Sequence, residues 1–96
     1  MIELKKLENA SEMLKAIAHP MRIAIVDMLS DDKKLSVTEI HEALNIEQAV
    51  ASHHLSILKN KGVLSYERMG KNCYYTLKHP RLSQIITCID KCQNEI

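Results

Sequence analysis

LNIEQAVASHHLSILKNKG, residues 44–62, is the stretch on which the reading of this chain turns. Advancing about 100° per residue from Gln48, a helix brings Gln48, Ala49, Ser52, His53, Ser56, Lys59 and Asn60 into one arc of about 140°. Val50, Ala51, His54, Leu55, Ile57 and Leu58 fill the opposite side. One face is apolar enough to bury against a small domain. The other carries amides, hydroxyls, an imidazole and a lysine, with no acid among them. Such side chains can hydrogen-bond to base edges in a major groove without repelling phosphate. An ordinary exposed helix tends to carry Glu–Lys pairs four residues apart. Here the face is mostly Ser, His and Gln, of which only Gln is a good helix former. The stretch implies a helix that reads DNA, with a plain solvated surface helix as the alternative.

The flanks weigh the two. Ser36-Val37-Thr38-Glu39 fits a capping box, with Ser36 as N-cap and Glu39 reaching back to its amide. It starts a short helix, TEIHEAL, expected to bury Ile40, Ala43 and Leu44, and Asn45-Ile46 links this to the longer one. Two short helices joined so tightly form a helix-turn-helix, although an unrelated helical hairpin looks the same locally. Gly62 suits the end of the second helix. Residues 63–68 and 72–77 then read as two strands around a Met69-Gly70-Lys71 turn. A β-hairpin directly after the reading helix is a wing, and its tip carries Arg68, Lys71 and Asn72, suited to phosphate or minor-groove contact. Taken alone, those residues also fit a solvated turn.

Outside this unit, residues 2–17 form a first helix with Leu7, Ala10, Leu14 and Ile17 as a narrow apolar stripe. His19-Pro20 breaks and restarts the chain. MRIAIVDMLS, apolar nearly all round, is the expected central core helix, and Asp31-Asp32-Lys33-Lys34 a polar turn. After Pro80 a last helix covers about residues 81–95, with Leu82, Ile85, Ile86, Ile89 and Ile96 on one stripe. The expected fold is mostly α with a small β-hairpin wing: a winged helix-turn-helix of four helices, two strands and a fifth helix. The stripes of the first and last helices exceed what one small domain must bury, which implies a homodimer presenting two reading helices to successive major grooves.

The 96 residues suit a single domain, 1–96, and the absence of Trp and Phe means a core of Leu, Ile, Val, Ala and Met. A net charge of +1 does not itself point to nucleic acid. Its distribution does: residues 1–47 hold six Lys/Arg against nine Asp/Glu, residues 48–96 seven against three. No apolar run is long enough to span a membrane, and the charged N-terminus lacks the pattern of a signal peptide. Three cysteines without a disulfide-framework spacing imply a cytoplasmic, reducing compartment. A glycine-rich phosphate loop and a triad-like grouping are both missing, and His53 and His54 point to opposite sides of their helix, so an enzyme is not expected. A winged helix used only to bind protein is the alternative function. It would call for exposed apolar or aromatic anchors where this helix is polar.

Three segments together resemble the ArsR family of bacterial winged-helix repressors: AIAHPMRIAIVDML, LSVTEIHEALNIEQAVASHHLSILKNKGVL with its Ser52-His53-His54-Leu55 core, and ERMGKNCYYTL. The resemblance spans nearly the whole chain and implies a homodimeric repressor that leaves a double-stranded DNA operator when an inducer binds. By position, Gln48, Ala49, Ser52, His53 and Ser56 would face bases or nearby phosphates, Lys59, Arg68 and Lys71 would hold the backbone, and Thr38 would donate to a phosphate. His54 falls on the buried side as a structural histidine. Where the family usually has a serine to start the reading helix this chain has Glu47, and Asn45 is expected to cap instead.

The same resemblance implies two recurrent metal sites. The positions of one hold Ser36 and Thr38, poor ligands for soft metals; those of the other resemble His79, Arg81, Cys92 and Glu95, where the arginine opposes a cation. No metal or cofactor is therefore expected. Cys88, Cys92 and Glu95 share one flank of the last helix within about 60°. With a symmetry mate they admit three readings: packing at the dimer interface, thiol or persulfide chemistry, or a metal. Cys73 reads as structural.

Overall fold

The computed structural model describes residues 1–94; Glu95 and Ile96, which the sequence reading places at the end of the last helix, lie outside the described residues. The order is α1 (Leu4–Ile17), α2 (Pro20–Met28), β1 (Leu35–Ser36), α3 (Val37–Leu44), α4 (Gln48–Asn60), β2 (Leu64–Met69), β3 (Asn72–Leu77) and α5 (Leu82–Asn94). The expected helices and hairpin are all present. One element is additional: β1 pairs antiparallel with β3, Leu35 opposite Tyr75 and Ser36 opposite Tyr74, giving a three-stranded sheet in the order β1-β3-β2. Two residues are too few to show the alternation by which a strand is read.

The core is aliphatic. Ile25, Val26 and Leu29 of α2 and its C-cap meet Ile40 of α3, Leu55 and Leu58 of α4, and Val63, Leu64 and Leu77 of the sheet. This bears out α2 as the central helix. The inward side of α4 is narrower than expected: Ala51, His54, Leu55 and Leu58 are buried, Ile57 is half-buried, and Val50 stays 42% exposed. Ala43, expected inside, is exposed as well, because α3 has barely two turns and its inward side is filled by Ile40 with Val37 and Leu44 beside it.

Local chemistry sets the ends of these elements. Ser36 accepts a hydrogen bond from the Glu39 amide at 3.1 Å, and the Glu39 carboxylate accepts one from the Ser36 amide at 3.0 Å, a complete capping box. Asn45, expected to cap α4, instead closes α3 in the left-handed conformation (φ 54°, ψ 47°). Asparagine adopts this conformation at less cost than most side chains. The N-cap of α4 is Glu47, with no side-chain hydrogen bond. The α3–α4 turn is held instead by contact between His41 Nδ1 and the Ile46 carbonyl at 3.1 Å. Asp31 and Asp32 turn the chain after α2, both left-handed (φ 60° and 58°). The wing turns on two residues, Gly70 and Lys71, with Met69 paired to Asn72. Gly70 takes the positive φ (66°) that the first position of such a turn requires.

Candidate nucleic-acid interface

On α4, Gln48, Ala49, His53, Ser56 and Asn60 are exposed and Ser52 and Lys59 half-exposed, so the polar arc faces outward as a unit. Thr38, Arg68 and Lys71 are exposed as well. The fold brings several of them together: Thr38 near the start of α3, Gln48 at the start of α4, and Lys71 and Asn72 at the wing tip line one recess. Two consecutive helices and the wing tip thus contribute residues with hydroxyl, amide and ammonium groups to the lining of one recess. Two carboxylates, on α3 and β2, are drawn off, whereas Glu47, the N-cap of α4, is exposed with no side-chain hydrogen bond. Glu39 is bound to the Ser36 amide, and Glu67 on β2 pairs with Lys34 at 3.1 Å. Arg68 lies opposite Cys73 on the paired wing strands.

Lys59 sits with its Nζ 4.7 Å from the centre of the Tyr66 ring, a cation–π contact that ties the last turn of α4 to β2. No spacing in the sequence marks Tyr66 for this role. An aromatic in a wing strand signals nothing without knowing which lysine lies over it.

His54 is 6% exposed, the buried histidine that the sequence reading expects. Its Nδ1 accepts a hydrogen bond from Arg22 Nε at 3.1 Å, and Arg22 Nη1 donates to the Ala16 carbonyl at 3.1 Å. Burial in the first place, then the charge of Arg22 and the nearby His19 and His53, hold the His54 imidazole below the usual histidine range. The role of Arg22 is likewise absent from the sequence reading, since it lies 32 residues from its partner. The one available signal was that a buried histidine needs a hydrogen-bond partner.

Cys88 and Cys92 are both exposed on α5, and Cys73 in the wing is half-buried. Among the described residues, no three His, Cys, Asp or Glu side chains gather as a metal site would require. No described helix is long and apolar enough to cross a membrane.

Comparison with known proteins agrees with this geometry. The model of the bacterial regulatory protein, arsR family, matches residues 19–66, from the N-cap of α2 to the middle of β2. The transcriptional repressor PagR of Bacillus anthracis is 39% identical over 92 residues, covering 96% of this chain and 92% of PagR. Its crystal structure superposes with a TM-score of 0.81 over 91% of this chain and 99% of that one. The HTH-type transcriptional repressor SmtB of Mycobacterium tuberculosis is 41% identical over 80 residues, 83% of this chain but 58% of SmtB. HlyU from Vibrio cholerae superposes with a TM-score of 0.83 at 29% identity, over 94% of this chain and 97% of that one. An outward polar face on the second helix of a helix-turn-helix, a wing beside it and these relatives lead to one conclusion: the chain belongs to the arsR family of bacterial regulatory proteins and is a DNA-binding transcriptional regulator.

Proposed function

We propose that the chain acts as a homodimeric repressor that reads a double-stranded DNA operator with α4 and grips its backbone with the wing. The observation that carries this reading is the acid-free outward face of α4, continuous with the recess shared by Thr38, Gln48 and Lys71. On this reading Gln48 pairs with an adenine edge, Ala49 meets a thymine methyl, and Ser52, His53 and Ser56 bond to base edges or adjacent phosphates. Lys59, Arg68, Lys71 and Thr38 hold phosphates and so set the register without reading sequence. Residues 1–96 work as one DNA-binding unit.

Pairing of two chains is supported by the apolar side chains that α1 and α5 leave uncovered. Leu14 is 53% and Ile89 48% exposed, and Ala10, Met13, Leu14, Ile17, Leu82 and Ile85 line an open groove between the two helices. Covering that surface with a second copy would place two reading helices on one face of a duplex. Cys88 and Cys92 lie on α5 itself, where a signal that alters the pairing would alter the spacing of the two reading helices.

Fluorescence anisotropy of the purified protein against the duplex upstream of its own gene, with a scrambled duplex as control, tests the reading. Repeating it with a reductant, a persulfide donor and zinc tests the signal. A sequence-dependent affinity that one additive abolishes is the expected result. Equal affinity for both duplexes under every condition would turn the assignment to a protein-binding winged helix.

A further inference from the structure

Arg22 occupies a junction that base contacts alone do not explain. One guanidinium donates both to the carbonyl of Ala16, at the end of α1, and to Nδ1 of His54, on the inward side of α4. It therefore ties the helix that bears the uncovered apolar stripe to the helix that presents the polar face. An arginine is always protonated, so the His54 Nδ1 that accepts from it carries no hydrogen, and the ring is the neutral tautomer with its proton on Nε2. Beside it stands His19, the N-cap of α2, whose Nδ1 accepts from the Met21 amide at 3.1 Å and whose ring centre lies 4.7 Å from that of His54. Both Nδ1 lone pairs are thus already committed to N–H donors.

We propose that Arg22 and His54 are positioning residues for the DNA-reading helix, and that a proton taken up at His54 Nδ1 undoes their clasp and releases α4. The proposal rests on the reading of the α4 polar face as the DNA contact. A protonated Nδ1 would turn an N–H toward the N–H of Arg22, replacing a hydrogen bond by repulsion between two cations in a part-buried site. The titratable and charged groups that act on His54 are few. Arg22 and His19 come from α2 and its N-cap, and His53 from α4 itself; no charged side chain of α1, α3 or β2 is among those that shift it. Glu12 of α1 is engaged elsewhere, by Lys61 beyond the end of α4 at 3.2 Å.

The sign follows. With its imidazole held below the usual range, His54 is neutral in the folded protein. Its contribution is complete above the unfolded value of about 6.5 and is lost as pH falls through the lower folded value. Loss of the clasp opposes the general trend on DNA, because protonating exposed histidines adds positive charge and by itself strengthens binding to any duplex.

The test is the ratio of affinities for the preferred and scrambled duplexes, measured by anisotropy from about pH 7.5 down to about pH 5.5, the interval in which histidines change charge. For the wild type a progressive loss of this preference is expected as the pH falls across that interval, because the lone pair that accepts from Arg22 is taken by a proton. His54→Asn puts a carbonyl oxygen where Nδ1 stands and has no proton to gain, so its ratio should stay flat. The same slope in both proteins overturns the proposal.

Should His54→Asn not fold, the ring nitrogens of the 15N-labelled wild type, read by NMR without DNA at about pH 7.5, decide it. An unprotonated Nδ1 supports the clasp, and a protonated one overturns it, since that nitrogen then has nothing to accept with. A wild type that prefers neither duplex at any pH would sink the DNA-reading assignment instead, and the tautomer would still decide the clasp.

Discussion

Ser52 and His53 are consecutive on the outward arc of α4, one half-buried and the other open, and neither has a hydrogen-bond partner within the described residues. Polar groups left free on a helix face are available to a ligand. Ser52→Ala or His53→Ala should therefore reduce affinity for the preferred duplex by about 1–3 kcal/mol while leaving binding to scrambled DNA and its salt dependence in place. Competition anisotropy checks this, and an equal loss on both duplexes would mean that the two side chains do not read bases. The arc itself was legible because it depends only on helical periodicity. What periodicity does not contain is who sits opposite: the Tyr66 ring under Lys59 and the guanidinium of Arg22 at His54 are long-range meetings that no spacing rule anticipates.

Among the elements, α3 was legible from its first four residues because a capping box is written locally, in side chains that reach only three positions along the chain. The cost of removing it can be stated: Ser36→Ala should lower stability by about 1 kcal/mol, read as a shift of the urea midpoint with an unchanged slope. A larger loss is excluded if Ser36 serves only as a cap. It is expected if burial of this residue and its backbone pairing with Tyr74 also depend on the side chain. The strand β1 was missed and the cap of α4 was misassigned for one reason. Asn45 and Leu35–Ser36 each admit two local roles, and tertiary packing selects between them. The Ala43 expectation failed similarly, since a helix of eight residues offers its buried side to few neighbours.

For the molecule as a whole, the uncovered groove between α1 and α5 carries the decisive prediction. Ile85→Glu places a charge on that surface, and the variant should sediment near the single-chain mass of 11.0 kDa where the wild type sediments near twice that. Its secondary structure should be unchanged, because Ile85 is outside the core. Affinity for a full operator should fall with it, since half-sites one helical turn apart call for two linked reading helices. A wild type that sediments as a single chain at binding concentrations would remove the dimer from the account. Across the β1–β3 seam, Leu35 and Tyr75 are partners separated by 40 positions of chain, with α3, α4, β2 and the wing turn between them. Closing so long a loop is favourable only once the intervening helices have condensed. The β1–β3 seam is thereby expected to close late in folding, after the local β2–β3 hairpin, and weakening it with Leu35→Ala should hasten unfolding while leaving the refolding limb of the chevron almost untouched.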